Sequence, residues 1–349
     1  MPEAVNEKKS RPWSLVARMV VAVAAIVWAF HDTDWGELAQ VFQQRHIWRY
    51  FALSLGTYAL AQFVIALRWW LLLRAQAIHI RISAAVRLFF VGLFFNNVMP
   101  SSVGGDLVKA WYVTKHTDRR VEGVLSVFVD RFVGLVGMLL MAVLAYFFFL
   151  RGQISGSDGA ETGGAGQALA RYRGLILGLA LALLAILGVA LAMPASRDRL
   201  RRVAGKVLDR GFSLIKRVST ALVVYCSRPV TMLLALGLTL LGQSMVITAF
   251  WLLGRHLGVQ AGLKHYFAIF PVTWVIGAIP VSIAGLGVLE AGIIKLFTLL
   301  TATTDNSAKA LALCQRFVWI LASLPGGAVH LLGAHLPEQF LVDGENGAN

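Results

Sequence analysis

Six stretches of this chain are apolar for long enough to cross a lipid bilayer: Ser14 to Phe30, Tyr50 to Leu73, Val121 to Leu150, Gly174 to Met193, Val230 to Gly254 and Ala310 to Leu332. A helix needs about 20 predominantly apolar residues to span a hydrocarbon core of roughly 30 Å. Lipid offers no partner for a free N–H or C=O, so such stretches satisfy their backbones as helices. With 58% hydrophobic and 14% charged residues, the chain holds more apolar surface than a water-soluble core of this length requires. The expected fold is an all-α, polytopic integral membrane helix bundle.

Two further apolar stretches, Ala84 to Met99 and Lys264 to Leu300, are interrupted by Pro and Gly. The distribution of Lys and Arg tells how they run. The amino terminus carries Lys8, Lys9, Arg11 and Arg18, and the segment from Arg197 to Arg228 holds nine basic residues, so both are expected on the cytoplasmic side. Gly152 to Gln167 has no Lys or Arg and contains Asp158 and Glu161, as an external loop would. A full crossing by Ala84 to Met99 would export the cluster Lys109, Lys115, Arg119 and Arg120 and invert every later loop. The segment is therefore expected to turn at Pro100 to Gly105 and leave by the face it entered. Lys264 to Leu300 is expected to do the same from outside, turning at Pro280 to Gly287. Six crossings and two re-entrant hairpins then leave both termini cytoplasmic. The first stretch is retained as an uncleaved span, since His31 to Glu37 offers no small-residue cleavage pattern.

A short internal repeat agrees with this plan. Pro100-Ser101-Ser102-Val103-Gly104-Gly105 and Pro280-Val281-Ser282-Ile283-Ala284-Gly285 share Pro, Ser and Gly at the same spacing, and Arg131-Phe132-Val133 recurs as Arg316-Phe317-Val318. Each half reads span, span, hairpin, span. An odd number of crossings per half places the second half upside down, the inverted-repeat plan of many secondary transporters. Residues 1–340 are expected to form one transmembrane domain, with pseudo-repeats at about 12–150 and 172–335 and a polar tail at 341–349.

Charged groups at membrane depth are costly, so each is a candidate functional residue. These are Asp130 and Arg131, which point about 100° apart on a helix and so reach different partners, Glu290 after the second turn, and Gln315 with Arg316 in the last span. Glu290 is expected to pair with Arg131 or Arg316. A purely structural role, tying helices together, is the competing reading. At the first hairpin Asn96, Asn97, Ser101, Ser102, Asp106 and Lys109 form one candidate polar pocket, with Gly104 and Gly105 permitting a tight turn. Asp106 also stands where it can cap helix amides. Ser282, Gly285, Gly287 and Glu290 form the mirror-related pocket.

The net charge of +14 is spread over segments flanking the spans, which argues for membrane topology rather than nucleic-acid binding. No His-x-x-x-His, Cys-x-x-Cys or Gly-x-x-x-x-Gly-Lys pattern occurs, so neither metal nor cofactor is expected and no catalytic residue is assigned. Cys226 and Cys314 are expected to be inert. Histidines such as His79, His256 and His330, and tryptophans including Trp48, Trp69 and Trp70, are expected at the membrane interface.

Asn97-Val98-Met99-Pro100-Ser101-Ser102-Val103-Gly104-Gly105-Asp106, Asp130-Arg131-Phe132-Val133-Gly134-Leu135 and Ile279-Pro280-Val281-Ser282-Ile283-Ala284-Gly285-Leu286-Gly287-Val288-Leu289-Glu290 lie in order along the chain. With these motifs the sequence resembles the flippase-like transmembrane family, the membrane half of bacterial lysylphosphatidylglycerol synthase/flippase proteins, over roughly residues 12 to 335. The resemblance implies a translocator of polar-headed lipids in a bacterial inner membrane. In the two-part relatives a soluble domain makes the aminoacylated lipid from lysyl-tRNA. Only a short tail follows Leu336 in this sequence, so the synthase activity is not expected here.

The expected partners are membrane lipids and no nucleic acid. Asp106 and Glu290 are candidates to meet a cationic head group, and Arg131, Arg316 and Lys109 a lipid phosphate. The alternatives are a non-catalytic subunit presenting lipid to a separately encoded lipid synthase or glycosyltransferase, and an intramembrane enzyme using the buried carboxylates.

Overall fold

The computed structural model describes residues 45–99, 104–115, 117–145, 227–277 and 286–331, with residues 36, 43 and 225 standing alone. The expected spans Ser14 to Phe30 and Gly174 to Met193, the Gly152 to Gln167 loop, Cys226, most of the Arg197 to Arg228 segment and the Pro100 to Val103 and Pro280 to Gly285 turns lie outside the described residues.

Eight helices account for nearly all the described residues: α1 (Arg45–Ala75), α2 (Ile82–Val98), α3 (Gly104–Lys115), α4 (Arg120–Ala145), α5 (Pro229–His256), α6 (Leu263–Gly277), α7 (Val288–Leu300) and α8 (Asp305–Leu331). Four of them, α1, α4, α5 and α8, are long and apolar enough to cross a membrane, and they coincide with four of the six stretches read as crossings. The other four have 17, 12, 15 and 13 residues. At about 1.5 Å per residue these are too short for comfortable crossings.

The short helices pair instead. A Cβ on Gly105 would strike the carbonyl of Gly92, one on Gly92 would strike the Lys109 side chain, and Asn96 faces Gly105, so α2 and α3 run antiparallel in close contact. In the same way Leu289 fills the space at Gly277, Thr273 lies against Gly292, and Phe297 meets Tyr266 and Phe270 across α6 and α7. The stops are local chemistry. Met99 precedes Pro100 and is extended (φ −74°, ψ 142°), as the proline ring demands of its neighbour. Gly287 starts α7 from φ 79°, which L side chains rarely adopt. Gly287→Ala is therefore expected to lower stability by about 1–3 kcal/mol, read as a drop in detergent melting temperature.

Each hairpin returns to the end of the bundle it left. Below the first, the Arg119 Nη1 donates to the Gln76 carbonyl at 3.2 Å, joining the α3–α4 loop to the α1–α2 loop. Below the second, Gly258 in the α5–α6 loop faces the Ser307 hydroxyl at the start of α8. Helices α1 and α5 are antiparallel along their length: Tyr50 stacks on His256 with ring centres 3.3 Å apart, Tyr58 meets Phe250, Gly242 receives Ile65, and the Tyr225 hydroxyl donates to the Leu72 carbonyl. The feet of the first hairpin thus sit by the C-terminal end of α1. Those of the second sit by the C-terminal end of α5, beside the start of α1. The two hairpins enter from opposite ends.

The packing has a two-fold pattern. Exchanging α1 with α5, α2 with α6, α3 with α7 and α4 with α8 maps every substantial helix contact among the described residues onto another. The α1–α5 pair maps onto itself. Helix α2 packs on α8 and α6 on α4, so each hairpin is held by the last helix of the other half. Small residues permit it: Gly326 lies against the Phe90–Val91 backbone, and Ala142, Ala145, Ala268 and Val272 form the opposite seam.

Two local expectations are corrected. Gly104 and Gly105 are helical and lack positive φ; their value is the missing Cβ where α2 and α3 touch. Trp69 is fully buried, not interfacial, because its position on α1 faces α2 and α4. Exposed His330, at the end of α8, also touches the first hairpin, its Nδ1 3.2 Å from the Tyr112 hydroxyl and its ring edge-on to Phe95. His79 and Trp48 are exposed, and Cys314 is buried.

Candidate functional site

Helices α1, α3 and α4 converge on five charged side chains. The Arg68 Nε and Nη2 bind Asp130 Oδ1 at 2.9 and 2.8 Å, and its Nη1 donates to Thr239 Oγ1 on α5 at 2.9 Å. The Lys109 ammonium lies 3.8 Å from Asp130 Oδ2 and 3.3 Å from Asp106 Oδ1. Asp106 Oδ2 accepts from Arg131 Nε at 2.6 Å. The result is an alternating chain, Arg68–Asp130–Lys109–Asp106–Arg131, with charges of both signs in register. Lys109 also sits over the rings of Trp69 and Phe89, at 5.1 and 5.0 Å, so aromatic faces supply part of the stabilisation lost with water.

The second half carries a leaner counterpart. The Arg316 Nε donates to Glu290 Oε1 at 2.6 Å, and Glu290 Oε2 accepts the Gly287 amide at 2.8 Å. Glu290 therefore both starts α7 and anchors α8. Arg316 also lies over the Trp319 ring, 5.4 Å from its centre, and Trp319 stacks with Tyr58 of α1. Near this pair are buried groups without a protein hydrogen-bond partner among the described residues: both amide atoms of neighbouring Gln315, the indole N–H of Trp319, and that of Trp274, whose ring lies 6.3 Å from the ring of Trp319. They are neutral groups beside one ion pair.

The two carboxylate–arginine pairs stand at matching depths. Asp106 is nine residues from the end of α3 at Lys115 and Arg131 eleven from the start of α4, while Glu290 is ten residues from Leu300 and Arg316 eleven from Asp305. At 1.5 Å per residue each pair lies about 15 Å from the feet of its own hairpin, half the thickness of a hydrocarbon core.

Of the candidate residues, Asp106, Lys109, Asp130 and Arg131 form one cluster and Glu290 and Arg316 another. Asp130 and Arg131 do reach different partners. Glu290 pairs with Arg316, a helix of its own half, while Arg131 is taken by Asp106. Asp106 does not cap α3; the Gly105 amide donates to Asn96 Oδ1 at 2.9 Å instead. Asn97 Nδ2 bonds back to the Leu93 carbonyl at 3.2 Å, within its own helix. Gly104 and Gly105 belong to the hairpin contact and Gly287 to the start of α7, whereas Ser101, Ser102, Ser282 and Gly285 lie outside the described residues. Asn96→Ala is expected to cost about 1 kcal/mol through loss of the cap, measurable as a lower melting temperature in detergent.

Sequence reasoning missed Arg68, Trp69 and Thr239. The signal for Arg68 was present: a guanidinium within an otherwise apolar span, inward of its end.

Long crossings, paired short hairpins and buried charge at mid-depth define a polytopic helical membrane protein with intramembrane hairpins. The chain belongs to the family described as the lysylphosphatidylglycerol synthase TM region, whose model matches residues 15–326. It is also similar to a UPF0104 membrane protein of Methanothermobacter thermautotrophicus, with 23% identity over 353 residues covering 94% of this chain and 97% of the relative.

Proposed function

We propose that this protein moves a polar-headed lipid between the leaflets of a bacterial inner membrane, with both termini cytoplasmic, acting as a carrier rather than an enzyme. The observation that carries this reading is the pair of hairpins entering from opposite ends, each bringing a carboxylate–arginine pair to about half the membrane thickness. A lipid head group leaving water must exchange its hydration for fixed hydrogen bonds, and broken helices are where membrane proteins hold such groups. Two half-sites reached from opposite faces suit alternating exposure, while acyl chains stay in the bilayer. An apolar groove of about 310 Å³ between α1 and α8, lined by Ile47, Phe51, Phe317 and Leu321, lies one residue in sequence from Arg316 and suits an acyl chain.

Reconstitution tests this. Vesicles containing purified protein and a head-group-labelled lipid are expected to lose the protection of inner-leaflet label from an impermeant external quencher faster than protein-free vesicles, and Glu290→Gln is expected to slow the exchange at least about tenfold by leaving Arg316 without its carboxylate. Exchange no faster than in empty vesicles across lipid classes, with a partner enzyme failing when the protein is deleted, would favour lipid presentation instead.

A further inference from the structure

The first half-site holds three cations, Arg68, Lys109 and Arg131, against two carboxylates, Asp106 and Asp130. Among the described residues no further acid bonds these three cations, and the sequences Ser14 to Phe30, Gly174 to Met193, Pro100 to Val103 and Pro280 to Gly285 contain no Asp or Glu. The second half-site, with Glu290 and Arg316, is balanced. A surplus positive charge in a low-dielectric interior is unfavourable unless an anion meets it.

Geometry locates where the anion is missing. Arg68 and Lys109 are buried and held between carboxylates, aromatic rings and Thr239, whereas the Arg131 side chain is 52% exposed. Its Nε is committed to Asp106, and among the described residues Nη1 and Nη2 make no other bond within the cluster, leaving a fork of N–H donors on the exposed side. Beside it on α4 is Phe128, 62% exposed, and on the adjoining α3 is Leu107, 63% exposed. Exposed apolar side chains at this depth are what a lipid-facing surface carries, so the fork opens beside an apolar surface on which acyl chains can lie. Planar guanidinium donors match phosphate oxygens two at a time. Both carboxylates, by contrast, already face the protein's own cations, Asp130 through Arg68 and Lys109 and Asp106 through Arg131 and Lys109, although Asp106 Oδ1 meets Lys109 only as an ion pair at 3.3 Å and accepts no hydrogen bond.

Resting on the carrier reading above, we infer that the substrate is an anionic lipid whose phosphate is taken by Arg131 at the first half-site, and that a cationic head group lacking phosphate is rejected there. Lys109 and Arg68 act as positioning residues, holding Asp106 and Asp130 and keeping the net charge positive.

The test compares labelled lipids in proteoliposomes of the full chain: phosphatidylglycerol, a cationic diacyl lipid with a trimethylammonium head and no phosphate, and a neutral glycosyl diacylglycerol. A parallel arm follows entry of soluble glycerol 3-phosphate into the same vesicles. Phosphatidylglycerol is expected to exchange at least about tenfold faster than the cationic lipid, and Arg131→Gln to erase that ratio while Arg131→Lys retains part of it. Equal or faster exchange of the cationic lipid overturns the inference and leaves the carrier reading standing. Acceleration of no lipid overturns the carrier reading itself, and glycerol 3-phosphate entry without lipid exchange assigns the phosphate site to a soluble solute. The wild-type ratio decides the matter even if a variant fails to fold.

Discussion

Asp130→Ala is expected to remove most of the folded protein. The substitution leaves Arg68 and Lys109 buried with three cations facing the single carboxylate of Asp106. Breaking a buried pair by deleting one partner costs about 3–5 kcal/mol, since the remaining charge keeps its desolvation penalty and loses its compensation. Against a total stability of about 5–15 kcal/mol, this is a large fraction. Melting in detergent, followed by loss of the monodisperse peak, is expected to fall sharply. The double variant Asp130→Ala with Arg68→Met is expected to recover part of the loss, because the uncompensated guanidinium is gone and an apolar chain of similar length fills its track. Unchanged melting for Asp130→Ala would mean that the charged chain contributes nothing to holding α1, α3 and α4 together.

The second large effect is steric. Gly105→Leu and Gly326→Leu each place a side chain where backbone already is: the Gly92 carbonyl for the first, the Phe90 carbonyl and Val91 amide for the second. Overpacking costs about 1–3 kcal/mol when side chains can move aside. Here the obstacle is main chain, so the upper end or beyond is expected, with α2 pushed off α3 or off α8. Gly56→Leu and Gly237→Leu are the controls, because nothing lies within 4 Å of a Cβ at either position. They are expected to be neutral or slightly stabilising, as a helical glycine is entropically poor. Equal loss in all four variants would show that helix-face position, not backbone contact, sets the outcome.

How much of this was legible beforehand follows from the physics of each signal. The crossings at Tyr50 to Leu73, Val121 to Leu150, Val230 to Gly254 and Ala310 to Leu332 were readable because lipid demands uninterrupted apolar length. The hairpins were readable because Pro100 and Gly287 break helices locally and because charge counting fixes which face a loop occupies. Asp106, Asp130, Arg131, Glu290 and Arg316 were readable as residues, since charge at depth is rare. Their pairing was not. Which carboxylate meets Arg131 depends on how α3 and α4 are rotated about their axes, and one residue shifts a side chain by about 100°. Arg68 was hidden for the same reason: its partners Asp130 and Thr239 lie 62 and 171 residues away. Trp69 and Trp70 are neighbours in sequence, yet the first is buried against Ser126 while the second reaches the Ile80 carbonyl at the hairpin's foot. Composition placed both at the interface because it does not know which way a helix faces. Gly105 likewise announces flexibility in sequence and supplies closeness in space.

Sidedness of the four loops at the hairpin feet tests the central geometry most directly. In a background with Cys226 and Cys314 replaced by alanine, single exposed positions are introduced as His79→Cys, Asp118→Cys, Gly262→Cys and Thr304→Cys, and intact cells are treated with a membrane-impermeant thiol reagent. The expected result is that Gly262→Cys and Thr304→Cys are labelled from outside, while His79→Cys and Asp118→Cys are labelled only after the membrane is opened. Labelling of one foot of a hairpin from outside and the other only from within would show that the short helices cross the bilayer, and would contradict the paired entry on which the carrier site depends.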